Sequence, residues 1–327
     1  MNSKIAHIAL FTSGGDSPGM NACIRAVVRT GLFHGLKVSG IIRGYDGLIE
    51  GLIQPLNSHS VSNIIQRGGT ILKSARSQRF LTSEGRTMAA EQLKNHQIDA
   101  LIAIGGNGTF TGAEIFYREH QIPCIGIPGT IDNDLYGTDF TLGFDTAVNT
   151  AMQAIDKIRD TADSHNRLFF IEVMGRDAGF IATWSGLASG AEAILVPEIP
   201  THLEDLITKL ETGWKRQKSS SIIIVAEGDD AGGAYEIANK VKERFQHYEI
   251  KVSVLGHMQR GGSPTCFDRV LGGRLGAAAV EGIMAGRFNE MAGLINGEVV
   301  FTPFIQAIQH ELRIRTELIN LGEMLAS

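Results

Sequence analysis

The stretch Ile122-Pro123-Cys124-Ile125-Gly126-Ile127-Pro128-Gly129-Thr130-Ile131-Asp132-Asn133-Asp134 decides how the chain is read. It begins as a short apolar run, which reads as a buried strand over 122–127. Pro128 and Gly129 stop that strand and expose backbone. Two carboxylates, an amide and a hydroxyl follow within residues 130–134. In an open parallel sheet, the carboxyl end of a strand is where ligands bind. The same composition also describes an Asx-rich turn that caps the next helix. The other strand ends of the chain weigh on that choice.

Upstream, residues 5–10 read as a strand broken by Thr12-Ser13-Gly14-Gly15-Asp16-Ser17-Pro18-Gly19-Met20-Asn21, with a helix over 22–30 that carries Arg25 and Arg29. A strand, a glycine-rich loop and a helix in that order place backbone N–H groups against a phosphate. The loop is neither a Walker sequence nor a GxGxxG. A second strand is expected over 36–42, then a short helix over 60–66. The loop opened by Gly68-Gly69-Thr70 carries Lys73, Arg76 and Arg79, which suit either a solvated face or an anion. A helix ends at 96, and residues 100–104 read as a buried strand. That strand is closed by the loop Gly105-Gly106-Asn107-Gly108-Thr109, with a helix from Thr111. Glycines there let backbone approach a ligand, and a helix N-terminus favours negative charge. Two such loops and the 130–134 strand end together point to one shared nucleotide site.

An amphipathic helix over 146–162 leads into a second layered unit. Strands are expected over 168–173, 193–196, 221–226 and 251–255, and helices over 203–215 and 234–245. The strands end in Met174-Gly175-Arg176, Pro197-Glu198, Glu227-Gly228 and Gly256-His257-Met258-Gln259-Arg260-Gly261-Gly262-Ser263-Pro264. This alternation predicts an α/β protein of two doubly wound, three-layer (αβα) Rossmann-like domains. Arg167, Arg176, Lys251, His257 and Arg260 lie beside strands of the second half. Singly each reads as a surface cation; together they suit an anionic ligand.

Composition sets the bounds. The chain has 327 residues, 43% hydrophobic and 20% charged, which suits two globular domains. A formal charge of −5 argues against a nucleic-acid surface or an anionic membrane as partner. Cys23, Cys124 and Cys266 lack metal-ligand spacing and read as reduced thiols. No apolar run of about 18 residues and no leader pattern is read, so a cytoplasmic location is expected.

Four stretches, in this order, carry a resemblance: the Gly14–Asn21 loop, residues 128–134, Met174-Gly175-Arg176, and residues 256–264. Along essentially its whole length the chain resembles the bacterial ATP-dependent 6-phosphofructokinases. The resemblance implies transfer of the ATP γ-phosphoryl group to the 1-hydroxyl of fructose 6-phosphate in glycolysis, with Mg²⁺. It implies an ATP-binding domain (1–143 plus 259–309) and a sugar-phosphate-binding domain (144–258 plus 310–327). Asp132 is implied as general base, supported by Asp134, with Thr130, Arg76, Arg176 and the Gly15 backbone on the transferring group. Arg76, Ser77, Gly106, Asn107, Gly108 and Thr109 are implied at ATP, with Asn107 at the metal. Thr130, Ile131, Asp132, Met174, Gly175, Arg176, Glu227, Met258 and Gln259 are implied at the sugar phosphate, with His257 and Arg260 at its 6-phosphate.

Arg167 and Lys251 are implied to reach a neighbouring subunit's sugar site, hence a homotetramer with shared active sites. An effector site for ADP or phosphoenolpyruvate is implied at Arg25, Arg29, Arg159, Gly190, Glu192, Arg216 and Lys218. Pyrophosphate-dependent relatives usually carry Asp at the Gly108 position and Lys at the Gly129 position, so glycine at both favours ATP. Three positions depart from the family pattern. Asn107 stands where Asp is usual, which lowers the expected grip on Mg²⁺. Lys251 and Ser58 each stand where Arg is usual. Asn107 also keeps open a weakly active regulatory paralogue, and a pyrophosphate-dependent enzyme is a further alternative.

Overall fold

The computed structural model describes residues 5–164, 167–216, 221–310, 312 and 314–326. Among these, aliphatic runs form eleven strands: β1 (His7–Thr12), β2 (Lys37–Ile41), β3 (Ile53–Pro55), β4 (Ala100–Gly105), β5 (Cys124–Pro128), β6 (Arg167–Val173), β7 (Ala193–Leu195), β8 (Ser221–Ala226), β9 (Glu249–Val254), β10 (Glu290–Ile295) and β11 (Glu298–Pro303). Two compact units result. The first takes Met1–Ile131, Leu135–Thr146 and Arg260–Leu312; the second takes Asp132–Asp134, Ala147–Gln259 and Arg313–Ser327.

The first unit is built on a sheet of order β11-β10-β5-β4-β1-β2-β3. Its middle strands are parallel, while β3 and β11 close the edges antiparallel. Alternation assigns its two faces. Ile8, Leu10, Ile102 and Ile104 pack with the helices Met20–Phe33 and Cys266–Met284. Ala9, Phe11, Leu101 and Ala103 pack with Phe110, Ala113 and Phe116 of the helix Asn107–His120. The helices after β1 and β4 therefore lie on opposite faces. That is the topological switch point of the sheet, with a crevice at the carboxyl ends of these two strands. The β10–β11 hairpin turns at Asn296-Gly297, where both residues have positive φ, as a tight two-residue loop requires.

The second unit holds a parallel sheet of order β7-β8-β6-β9. Leu168, Phe170, Ile223 and Val225 cover one face with the helices Leu203–Lys215 and Ala234–Lys242. The helices Phe180–Ser189 and Thr316–Ala326 cover the other. Helices on both faces of both sheets make the predicted α/β architecture.

Two local expectations fail. Residues 60–66 form turns rather than a helix. Asn57 Oδ1 accepts the N–H groups of His59 and Ser60, and Asn63 adopts φ 55°, so local side-chain bonding wins over helix. The helix expected from Thr111 begins instead at Asn107, because extended Gly106 acts as its N-cap. Asn107, Gly108 and Thr109 are thus its first turn. No turn at 130–134 caps a helix directly; the next helix is Phe144–Asp163. Among the described residues, no helix is long and apolar enough to cross a membrane.

Candidate active site

In the first unit the site elements are glycines and backbone. β1 leads into Gly14 (φ 84°) and Gly15, and Gly19 (φ 102°) starts the helix Met20–Phe33. β4 ends at Gly105, where any Cβ would meet the Thr109 hydroxyl and the Ser13 carbonyl, so the two loops pack against each other. Ser13 N–H also donates to Ile104 O at 3.0 Å. Thr109 N–H donates to Gly106 O at 2.9 Å, so the backbone that the start of the Asn107–His120 helix offers to an anion is that of Asn107 and Gly108.

Gly108 and Gly129 differ in their surroundings. A Cβ on Gly108 would find nothing within 4 Å. On Gly129 it would lie 2.9 Å from Ile104 Cγ2 and 3.1 Å from Met20 Cε. Gly129 is therefore demanded by packing, whereas Gly108 leaves open space. Asn107 is exposed, as is Arg76, which has no ion-pair or hydrogen-bond partner among the described residues. Ser77 Oγ donates to Asp46 Oδ1 at 3.2 Å and accepts Phe80 N–H. Thr130 and Ile131 are buried, and Thr130 O accepts the Thr141 hydroxyl at 2.6 Å. Arg260 also belongs to this unit. Its guanidinium lies against Gly15 and donates to Asp16 O at 3.3 Å.

In the second unit the site is made of charged side chains. Asp132 is 3% exposed, and Arg176 Nε stands 3.7 Å from its Oδ2. Asn133 takes φ 55°, which turns the chain between the two aspartates. Burial first, and the Asp132 charge second, push the Asp134 carboxyl up to about 6. After β6, Gly175 has φ 144°, and a Cβ there would strike the Ala178 carbonyl. The exposed Glu227 after β8 holds this bend, accepting N–H from Gly175 at 3.2 Å and Arg176 at 2.8 Å. Met174 is buried beside them.

Arg167 and Lys251 share one partner. Glu249 Oε2 meets Arg167 Nε at 2.7 Å and Glu249 Oε1 meets Lys251 Nζ at 2.6 Å. Hydrogen bonds from Lys251 and then Arg167 hold the Glu249 carboxyl at about 2. Sequence reasoning missed Glu249; the signal available was a carboxylate two positions before Lys251, on the same face of a strand. His257 and Met258 are exposed on a 3₁₀ turn, Gly256–Arg260, while Gln259 is buried and donates to Gly256 O.

The residues expected at an effector fall in both units. Arg25 and Arg29 lie in the first, where Arg29 reaches the Ser58 carbonyl at 3.4 Å. In the second, Arg159 donates to Ser189 O and Gly190 O at the end of the Phe180–Ser189 helix, a C-capping role. Gly190 (φ 62°) is exposed, Glu192 is buried, and Arg216 is exposed at a helix end. Lys218 lies outside the described residues.

A sequence model of the phosphofructokinase family matches residues 7–283. The chain is 58% identical to an ATP-dependent 6-phosphofructokinase of Cytophaga hutchinsonii, over 97% of each chain. It is 56% identical to ATP-dependent 6-phosphofructokinase 1 of Thermus thermophilus, over 98% of this chain and 99% of that one. The structure of phosphofructokinase from Saccharomyces cerevisiae superposes with a TM-score of 0.88 at 32% identity, covering 98% of this chain and 48% of that one. The chain thus spans about half the length of the yeast protein and nearly all of the bacterial ones. On the family match and these identities, the chain belongs to the phosphofructokinase family.

Proposed function

We propose that the chain is an ATP-dependent 6-phosphofructokinase, forming fructose 1,6-bisphosphate from fructose 6-phosphate. The observation that carries this reading is the buried Asp132 with the Arg176 guanidinium beside it, two residues after Thr130. In this reading the sugar's 1-hydroxyl gives its proton to Asp132 as its oxygen bonds to the γ-phosphorus. The bond to the β-γ bridging oxygen breaks, and ADP leaves. A base in hydrogen-bond reach of the nucleophile is what this step needs. Thr130, Arg76, Arg176 and the Gly15 N–H steady the charge on the transferring group. Gly106, Asn107, Gly108 and Thr109 take the nucleotide's phosphates, with Ser77 beside Arg76. Ile131, Met174, Gly175 and Glu227 shape the sugar side, and Asp134 supports Asp132. His257 and Arg260 take the 6-phosphate, with Met258 and Gln259 between them at the substrate.

ATP is the donor in this reading because the space beside Gly108 is open where pyrophosphate-dependent relatives carry a side chain. The donors suit a phosphate-borne Mg²⁺ rather than a protein-held one. Among the described residues no three His, Cys, Asp or Glu side chains gather to hold a metal, and Asn107 presents one neutral oxygen. Mg²⁺ keeps waters and phosphate oxygens readily, and when bound it offsets the negative charge of the phosphate chain. Arg167 and Lys251 serve a neighbouring subunit's sugar phosphate in a homotetramer. Arg25, Arg29, Arg159, Gly190, Glu192, Arg216 and Lys218 form an effector site for ADP or phosphoenolpyruvate. A cytoplasmic location completes the reading.

The test is product formation with MgATP and, separately, with Mg-pyrophosphate across a magnesium titration. Turnover with MgATP alone is expected, and Asn107→Asp should lower the half-saturating Mg²⁺ by about 10–100-fold. Turnover with pyrophosphate, or none with either donor despite ligand binding, would overturn it in favour of the pyrophosphate enzyme or the regulatory paralogue respectively.

A further inference from the structure

The segment carrying Arg76 is tied down on both sides of a short span, in which Ser77 Oγ also donates to Asp46 Oδ1 at 3.2 Å. Upstream, buried Asn21 donates to the carbonyls of Arg67 and Gly68, each at 3.1 Å, and its Oδ1 accepts Ile71 N–H at 2.8 Å. Thr12 Oγ1 donates to Lys73 O at 2.9 Å. Downstream, the tie is a charge pair that the proposed chemistry does not use. Arg86, in the first turn of the helix Ser83–Asn95, donates through Nη1 to Phe80 O at 3.0 Å and Leu81 O at 2.8 Å. Its other edge meets Glu119 in a fork, Nε to Oε2 at 2.6 Å and Nη2 to Oε1 at 2.7 Å. The Arg86 side chain is 9% exposed.

Glu119 lies in the last turn of the Asn107–His120 helix, whose first turn is the phosphate seat of the proposed function. The same loop and helix are joined a second time near that first turn. Tyr45 donates to Thr109 O at 2.7 Å and stacks on Phe80 with ring centroids 3.8 Å apart. A Cβ on Gly112 would lie 3.0 Å from the Tyr45 ring and 3.3 Å from that of Phe80. A helix held at both ends against one loop fixes that loop's register along it. Arg76 and Ser77 lie in the span between the upstream ties and Phe80.

We infer that Arg86 is a positioning residue of the nucleotide site. Its fork to Glu119 and its two bonds to loop carbonyls set where Arg76 and Ser77 stand relative to the N–H groups of residues 106–108. The inference rests on the proposed role of Arg76 at a phosphate. The planar five-donor guanidinium is needed because it faces a carboxylate and two carbonyls at once; a lysine ammonium is a point charge without that fork.

The test is steady-state kinetics of the full-length protein for Arg86→Gln, Arg86→Lys and Glu119→Gln, with Arg76→Gln as reference, each measured well below its own melting temperature. Arg86→Gln should raise the KM for MgATP about 10-fold or more and lower kcat, since small misplacements of binding groups cost that much. The KM for fructose 6-phosphate should stay within about twofold, and Arg86→Lys should recover part of the MgATP loss. A purely structural pair would lower the melting temperature and leave both constants of the folded variant unchanged. That result in Arg86→Gln, or in Glu119→Gln if the former does not fold, overturns the inference. Unchanged MgATP constants in Arg76→Gln would overturn the reading of Arg76 and this inference with it. A loss in Arg76→Gln without one in folded Arg86→Gln overturns the positioning role alone.

Discussion

The ends of β1 and β4 in the first unit are made of backbone, and those of β6 and β8 in the second are made of charge. After β1 and β4 stand glycines whose missing side chains let one loop lie on another, with helix N-termini behind them. After β6 and β8 stand Arg176 and Glu227, and at β9 stands Glu249 between two cations. The contrast suits the proposed function. A polyphosphate is recognised by many N–H donors of modest strength, whereas a sugar hydroxyl that must lose a proton needs one placed base. A backbone site tolerates side-chain change poorly where it is packed, and a charged site responds to pH.

The largest effect expected from this contrast is at Asp132. Asp132→Ser should cost about 10²–10⁴-fold in kcat, the usual worth of a general base, with sugar KM little changed in initial-rate assays. A variant keeping more than about a tenth of the wild-type rate would remove Asp132 from that role.

Next come the two glycines. Gly129→Ala forces a Cβ against Ile104 and Met20 and should cost about 1–3 kcal/mol, seen as a lowered melting temperature. Gly108→Ala meets open space within a helix and should be neutral or stabilising by about 0.5–1 kcal/mol, while raising the KM for MgATP. Equal destabilisation at both would contradict the packing difference.

A smaller effect is the pH response of Asp134. Its carboxyl is raised to about 6 by burial and by Asp132, above the ordinary 3.8. The folded state therefore binds a proton between pH 4 and 6 that the unfolded state has released. Its contribution to stability is present below about pH 4 and falls away as pH rises through 6. Asp134→Asn should flatten that part of the melting-temperature profile. The buried Asp268, also raised to about 6 by burial, adds a slope of the same sign and remains in the variant.

The smallest expected effect is at Glu249. Glu249→Gln frees Arg167 and Lys251 on an exposed strand, and exposed ion pairs contribute little to stability. The melting temperature should not move, at low salt or high. A clear drop would mean that the pair is structural.

Much of this was legible in the chain before folding. β8 and the helix Leu203–Lys215 fall where the sequence places them: β8 is a short β-branched run closed by Glu227-Gly228, and the helix is long enough for its period to show. The glycine clusters marked the ends of β1 and β4, where Gly105 lets the two loops pack closely. The turns at 58–63 and the start of the Asn107–His120 helix were not legible. Both depend on whether a local side chain or an extended glycine wins a particular N–H, and the competing energies are nearly equal.

The residue order settled the α/β alternation, the glycine-rich strand ends and the family resemblance, because hydrophobic period and motif spacing are local properties of a chain. Folding settled matters that depend on residues distant in sequence. Glu249 claims both Arg167 and Lys251, Arg159 caps a helix, Arg86 reaches Glu119, and Gly129 is crowded where Gly108 is not. Each depends on which atoms come within a few ångströms, and sheet order and helix packing fix that.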